Sequence, residues 1–420
     1  MSTEKIYRYI EKNIGTVLKN PVGFIKYPFI DPGSVYDGNV WDWDTYWSVY
    51  GLLPLTKRLK DTSLRERIIE HAKGNVRNFF DHQLADGYIP MMIENKLFDK
   101  QLSEPYLNTQ HQNGYLMNMH KPFLCRQIEL ISEFTGSYDW ALGYAAQIRK
   151  YLECYDAHYY HARTGLYYWC DDIMIGMDND PASFGRPKFS TANIFLNSFM
   201  VTELGCAAKI LQKAGEDGAA LMQKREALIR AIHEECFDQR DQFFYSVDVD
   251  VETRKYDWFH QGLGVFWKSL PIRIQVWSGF LPLCEGFATK QEAEAMRLHL
   301  HDEAAFGSNY GIPTLAKNEK MFNLEATNNP SNWLGPIWLV ANYCVFRGML
   351  NYGFVEEARE MYEKSAALLT RDLEESKSLH EYYDPFTGKP VMNGGFINWN
   401  ILVLNMEQEL DTYKGENHAD

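Results

Sequence analysis

The chain has 420 residues, of which 45% are apolar and 23% charged, so it can bury a large core. Its net charge of −14 does not suit a phosphate-binding surface of clustered Lys and Arg, and we expect no nucleic-acid partner. The charged start lacks an apolar signal region, and no apolar run approaches the roughly 20 residues that span a bilayer. We therefore expect a cytoplasmic protein without a membrane partner.

Helical periodicity dominates the chain from its start to its end. Pro54 should kink or shorten the second helix, because proline disrupts a helix interior. Apolar residues three to five positions apart predict helices over residues 3–19, 45–60, 63–83, 121–135, 138–158, 191–213, 217–236, 273–287, 289–301, 334–350, 354–375 and 395–409.

Three connections have the pattern of a short β-hairpin, with aromatic residues around a polar turn: 159–172, 236–249 and 381–391. Their return after alternate helices indicates a circular array of helical hairpins with loops on one face. No linker divides the chain, so we predict one all-α domain over residues 1–420. Six helical hairpins of this kind can close as an (α/α)6 barrel with long loops and short β-hairpins on one face.

The seven cysteines are widely spread and form no Cys-x-x-Cys pair, which favours reduced, buried thiols. No metal-ligand spacing occurs: "DVDVE" (248–252) lacks the pattern of a calcium loop. We expect no metal and no cofactor.

The first of four segments that could carry chemistry is "NVWDWDTYWSVYGL" (39–52), which crowds Trp41, Trp43, Asp44 and Tyr46 at a helix start. In one interpretation Asp44 caps the helix while the tryptophans pack in the core. In the other, the indole faces form a platform for a sugar, and Asp44 accepts hydrogen bonds from its hydroxyl groups.

The second segment is "GMDNDP" (176–181), which is either a surface turn or a loop that holds one of its carboxyl groups over a cavity. Partial desolvation there would raise the pKa of one acid and let it donate a proton near neutrality.

The third segment is "SNWLGPIWLVANY" (331–343), with Trp333, Gly335 and Trp338 at a helix entry where the tryptophans could also be core. The fourth, 379–400, places Glu381 and Tyr383 before a turn and Trp399 after it; Glu381 could equally be an ordinary surface acid. Two isolated acids are what glycoside hydrolysis requires, and a separation of about 6.5–9.5 Å leaves room for the water of an inverting reaction.

Taken in order, the four segments resemble glycoside hydrolase family 63 and the related trehalases, over roughly residues 28 to 400. The resemblance implies an (α/α)6 barrel and an inverting α-glycosidase with Asp178 as acid and Glu381 as base. Leu334 stands where the family usually has Arg. We expect the sugar to contact Trp41, Trp43, Asp44, Tyr46, Gln112, Trp333, Gly335, Trp338, Tyr383 and Trp399.

Compact bacterial members, similar also in "HKPFLCRQ" (120–127), include hydrolases of mannosylglycerate and glucosylglycerate, and we expect one of these small-molecule substrates. Lys121, Arg186 or the amides Gln110, Gln112 and Asn113 could bind the glycerate carboxylate. A disaccharide hydrolase of the trehalase or α-glucosidase kind is an alternative.

Two further classes remain open. A sugar epimerase or isomerase would use a His pair, such as His260 and His380. A non-catalytic sugar-binding protein would keep the tryptophans and tolerate loss of the acids. The sequence predicts no particular oligomeric state.

Overall fold

The computed structural model describes residues 3–36, 38–95, 103–251, 267–325 and 331–417. Its α-helices are α1 Glu4–Val17, α2 Asp42–Thr56, α3 Thr62–Asp81, α4 Tyr106–Gln112, α5 Leu124–Thr135, α6 Ala145–His158, α7 Ile194–Lys213, α8 Ala219–Cys236, α9 Leu281–Cys284, α10 Lys290–Leu300, α11 Leu339–Asn351, α12 Val355–Glu375 and α13 Leu402–Asn417.

The strands within the described ranges are short and pair antiparallel. They are β1 Leu18–Lys19, β2 Phe29–Ile30, β3 Val40–Trp41, β4 Met92–Ile93, β5 Tyr160–His161, β6 Leu166–Tyr167, β7 Thr191–Ala192, β8 Phe237–Asp238, β9 Phe243–Phe244, β10 Val247–Asp248, β11 Leu270–Pro271, β12 Tyr382–Tyr383 and β13 Pro390–Met392. The hairpins β5–β6, β8–β9 and β12–β13 confirm the three predicted from sequence.

Six helices form a closed inner ring. Helix α2 packs against α5, α5 against α7, α7 against α9, α9 against α11, α11 against α13, and α13 against α2. Outside this ring, α3 packs on α2 and α5, α6 and α8 on α7, α12 on α11 and α13, and α1 on α12. The architecture is the expected (α/α)6 barrel.

The sequence of each helix reflects its layer. Inner helices are surrounded by protein, so α2 buries 13 of its 15 residues, including the polar Asp42 and Thr45. Outer helices are amphipathic: α12 buries Ala358, Met361 and Leu369 on one face and exposes acids and bases on the other. Periodicity is therefore clear in α12 and weak in α2.

Helix α7 corrects one expectation from the sequence. Ile194–Lys213 has the length and apolar composition of a membrane-spanning helix, although we expected no run to approach it. In the barrel, 83% of its most apolar 18-residue window is buried against other elements. Its apolar character follows from its place in the inner ring.

Several predicted helices begin later than expected, because the residues before an inner helix adopt loops. Residues 273–287 contain only a 3₁₀ turn and the one-turn helix α9. This turn packs closely, since a side chain at Gly279 would meet the Phe243 ring at 2.4 Å. Helix α4 was not predicted. Helix α2 ends at Thr56, two residues after Pro54, as the proline indicated.

The seven cysteines are all free. Six of them are buried and Cys284 is half-buried, which agrees with the expectation of buried thiols.

Candidate active site

A cavity with an empty volume of about 470 Å³ lies at one end of the inner ring. Eight of the residues predicted from the sequence line it: Trp41, Trp43, Asp44, Asp178, Trp333, Trp338, Glu381 and Trp399. Six more complete the wall: Tyr36, Asp42, Met91, Lys121, Gly176 and Ser331.

The wall is built from segments that precede inner helices. Asp42 is the first residue of α2, Lys121 lies just before α5, Asp178 lies in the loop that leads to α7, Trp338 is the N-cap of α11, and Trp399 precedes α13. Helix N-termini carry a partial positive charge, which favours nearby carboxylates. The ring thus directs its positive ends toward a cavity lined by acids.

Glu381 lies at the start of the β12–β13 hairpin and is only 2% exposed. The Tyr36 hydroxyl donates to its Oε1 at 2.9 Å, and the Asn393 side-chain amide donates to its Oε2. Burial raises the pKa of Glu381 to about 7, and the charge of Asp178 adds to this, while the two donated hydrogen bonds oppose it. Asp178 and Glu381 both line this cavity.

The segment "GMDNDP" combines a turn with a cavity wall. The Asp180 amide donates to the Met177 carbonyl at 2.8 Å, and the buried Asp180 carboxylate accepts from Asn193 at 2.8 Å. Asn179 accepts from the Trp333 backbone amide at 2.6 Å, which ties this loop to the third segment. Anchored by both neighbours, half-buried Asp178 is left on the cavity wall.

A buried ion pair lies in the cavity wall next to this loop. Lys121 Nζ lies 2.9 Å from Asp42 Oδ2, and both side chains are 1% exposed. The Lys121 backbone amide donates to the same oxygen at 2.8 Å. Burial and the Asp42 charge raise the pKa of Asp44 well above its usual range, while the Lys121 charge lowers it.

Asp44 does not cap α2, which corrects that interpretation. Helix α2 has Trp41 as its N-cap residue and no side-chain capping bond. The Asp44 carboxylate accepts from Asn398 Nδ2 at 2.9 Å, and Asn398 accepts from the Ser48 hydroxyl at 2.8 Å. This chain of bonds joins the first inner helix to the segment before the last.

Tryptophans form the apolar part of the wall. Trp333 and Trp338 stack with centroids 4.0 Å apart and planes at 14°, and Trp43 lies 5.7 Å from Trp333 and 5.5 Å from Trp399. The buried indole N–H groups of Trp41 and Trp399 have no partner within the described part of the protein. Flat faces beside unused donors suit the C–H and O–H groups of a sugar.

Four predicted site residues do not line this cavity. Tyr46 packs inward, with its ring 4.8 Å from the Arg126 guanidinium. Gln112 donates to Glu104 at 2.7 Å on the surface. The last two, Gly335 and Tyr383, have local structural roles.

Gly335 has φ +135°, and a side chain there would meet the Phe322 ring at 2.5 Å. Tyr383 donates to buried Asp372 at 2.9 Å. Proximity along the chain misled the prediction, because neighbouring side chains point in different directions.

The other charged and histidine candidates also lie off the cavity wall. Arg186 pairs with Asp248. His380 contacts Asp372 through Nδ1 at 2.9 Å, and its proposed partner His260 lies outside the described residues. Of the two candidate cations for a glycerate carboxylate, Lys121 alone lines the cavity.

Two residues at Glu381 were not identified from the sequence. Tyr36 is a single tyrosine in a loop without a motif, and Asn393 lies in the fourth segment without any feature to single it out. The position of neither residue along the sequence predicts a functional role. A positive φ at position 393 can be anticipated from the following glycines, but the contact with Glu381 cannot.

Comparison with known proteins places this geometry in a family. The family model described as "Mannosylglycerate hydrolase MGH1-like glycoside hydrolase domain" matches residues 37–399. Mannosylglycerate hydrolase MGH1 of Selaginella moellendorffii is 32% identical over 213 residues, 49% of this chain and 38% of that protein. Mannosylglycerate hydrolase of Thermus thermophilus is 27% identical over 233 residues, which are 52% of this chain and 48% of that protein. The alignments thus span less than half the length of these relatives.

Solved structures share the fold. A family 63 mannosylglycerate hydrolase from Thermus thermophilus, in complex with glucose, superposes with a TM-score of 0.68 at 18% identity, covering 95% of this chain and 99% of that one. The neutral trehalase of Saccharomyces cerevisiae superposes with a TM-score of 0.59 at 12% identity, covering 92% of this chain and 75% of that one. Because the family match extends over most of the chain, this protein belongs to the mannosylglycerate hydrolase MGH1-like glycoside hydrolase family.

Proposed function

We propose that this protein is an inverting α-glycoside hydrolase whose substrate is mannosylglycerate or glucosylglycerate. One observation carries the proposal: Asp178 and Glu381 line a single cavity whose wall also contains five tryptophans. Two carboxyl groups that face one cavity are the machinery of glycoside hydrolysis. The printed names of the relatives support the substrate class.

In the proposed reaction, Asp178 donates its proton to the glycosidic oxygen as the bond to the anomeric carbon breaks. Glu381 accepts a proton from a water molecule, whose oxygen attacks that carbon from the opposite face. The products are a free sugar of inverted configuration and the released alcohol. Ionised Asp178 and protonated Glu381 then exchange protons with solvent for the next cycle.

The environment of Glu381 suits the role of base. A base with a pKa near the working pH is ionised often enough to act and basic enough to accept a proton. Burial raises the pKa of Glu381. The side chains of Tyr36 and Asn393 donate hydrogen bonds to its carboxylate, and such donors favour the ionised form. Asp178 is more exposed than Glu381 and faces the same space.

The cavity also indicates how the sugar binds. Asp44, held by Asn398, can accept from hydroxyl groups, and the unpaired indole N–H groups of Trp41 and Trp399 can donate to them. For the glycerate carboxylate, Lys121 is the cation on the described wall, and its pairing with Asp42 limits the charge it can offer. Selectivity between the two sugars then depends on hydrogen bonds to one epimeric hydroxyl.

The test is a substrate panel followed by NMR. The protein is incubated with glucosylglycerate, mannosylglycerate, trehalose and kojibiose, and the first-formed anomer is recorded. We expect cleavage of a glycerate substrate with the β-sugar appearing first. First release of the α-sugar would refute inversion, cleavage of the disaccharides alone would refute the substrate class, and isomerised sugar without release of an alcohol would indicate an epimerase.

Variants test the two acids. We expect Asp178→Asn and Glu381→Gln each to lower kcat by at least ~10³-fold with sugar binding retained, since each removes a group needed in the transition state. Asp172→Asn and Asp384→Asn are matched controls off the cavity wall, because Asp172 lies four residues before the second segment and Asp384 lies in the fourth. Wild-type turnover in both acid variants would contradict the proposal and leave a sugar-binding role.

A further inference from the structure

Both oxygens of the Glu381 carboxylate are held by donors from different parts of the chain. Tyr36 reaches Oε1 from the loop before β3, and Asn393 reaches Oε2 from the turn after β13. The β12–β13 hairpin also holds Asn393 next to Glu381, because the Glu381 backbone amide donates to the Met392 carbonyl at 3.1 Å. Asn393 is thus fixed to Glu381 through the backbone next to it and through its own side chain.

The backbone at position 393 makes the choice of asparagine informative. Its φ is +51°, a left-handed conformation that glycine adopts most readily and asparagine tolerates. Gly394 and Gly395 follow, and Gly395 has φ +84°. The turn itself would therefore accept glycine at 393, and what asparagine adds is a side-chain amide.

We propose that Asn393 is a positioning residue for Glu381: its amide fixes the plane of the carboxylate so that a free lone pair faces the attacking water. This inference rests on the proposed function, in which Glu381 is the base. Each carboxylate oxygen can accept two hydrogen bonds. One donor on each oxygen therefore prevents rotation and leaves one acceptor position per oxygen for the water.

The same contact has an electrostatic effect. A donor bonded to the ionised carboxylate favours that form and so opposes the burial that disfavours it. The other titratable groups on the same cavity wall are Tyr36, Asp42, Asp44, Lys121 and Asp178. Lys121 is already paired with Asp42. The hydrogen bond from Asn393 is therefore one of the few contacts that favour the ionised form of Glu381, in which it can act as a base.

The experiment compares three variants of the full chain with a glycerate substrate. Asn393→Gly keeps the turn and removes the donor, and Asn393→Asp keeps the shape but places a second carboxylate against the first. Ser378→Ala is the matched control, since the Ser378 hydroxyl accepts from the Gly395 amide at 2.7 Å in the same turn and has no bond to Glu381.

We expect Asn393→Gly to lower kcat about 10- to 100-fold, the range for losing one hydrogen bond to a charged group, with KM changed less than about threefold. The acidic limb of the kcat/KM profile should move to higher pH, by about one pH unit, and further in Asn393→Asp. Ser378→Ala should leave that limb in place.

An unchanged limb and kcat in Asn393→Gly would overturn the inference, as would the same shift in Ser378→Ala. Glu381→Gln, measured beside them, separates the two hypotheses. If Glu381→Gln is inactive while Asn393→Gly is normal, the positioning role fails alone. If Glu381→Gln is active, the proposed function fails first.

Discussion

Gly176 offers the most direct test of how the loop that carries Asp178 packs against Trp43. It lies two residues before Asp178 and has φ +88°. A β-carbon there would approach Lys121 Cε at 3.0 Å and the Trp43 indole at 3.2 Å. Gly185 is a matched control, because it lies in the same connection with φ +72° and has no atom within 4 Å of the same position.

Both Gly→Ala variants force a left-handed backbone on alanine, which costs about 1–2 kcal/mol. Gly176→Ala must also displace Trp43 or Lys121, and overpacking of this kind adds about 1–3 kcal/mol. We therefore expect Gly176→Ala to lose roughly 2–5 kcal/mol of unfolding free energy and Gly185→Ala roughly 1–2 kcal/mol. Urea denaturation followed by tryptophan fluorescence measures both.

Activity should separate the two variants more strongly than stability does. If the added methyl group in Gly176→Ala moves the loop, Asp178 shifts with it, and a displacement of about 1 Å can cost ~10²-fold in rate. We expect kcat/KM to fall about that far in Gly176→Ala and less than about threefold in Gly185→Ala. Equal losses in the two variants, in either assay, would refute the argument that Gly176 packs as a spacer.

Three further predictions follow from buried groups. Since Glu381 has a pKa raised to about 7 and must be ionised to act, kcat/KM should fall as the pH drops through about 7; a limb near the ordinary glutamate value of about 4.3 would contradict this. Glu203→Ala leaves two backbone amides at the start of α5 unbonded and should cost about 2–5 kcal/mol in urea denaturation, unlike a substitution at exposed Glu226. Tyr383→Phe removes the bond donated to buried Asp372 and the bond accepted from the His380 backbone amide, and it should cost about 1–3 kcal/mol with kcat/KM within about threefold. A large kinetic loss would restore its predicted role in binding.

The outer layer of the barrel could be predicted from the sequence, because an amphipathic helix such as α12 repeats its apolar residues with helical period. The inner layer was harder, since a helix buried on all sides has little contrast between its faces. The segment 273–287 shows the difficulty: its apolar residues suggested a long helix, but the structure has only a 3₁₀ turn and a four-residue helix there.

The sequence predicted more of the residues that line the cavity than of the residues that hold them in place. Trp43, Asp178 and Glu381 belong to motifs that the resemblance made recognisable, and the structure places them together. Tyr36 and Asn393 carry no motif, because a single donor acts through its position in space. The catalytic roles, the domain limits and the cytoplasmic location stay predictions.

The bond between Asp44 and Asn398 has a consequence for how the protein matures on the ribosome. The ring closes only where its first helix meets its last, and Glu381, the proposed base, is contributed by that same late segment. A nascent chain can therefore display the acid loop long before it has a working pocket. Any truncated product that ends before the final hairpin should be both open-sided and inert.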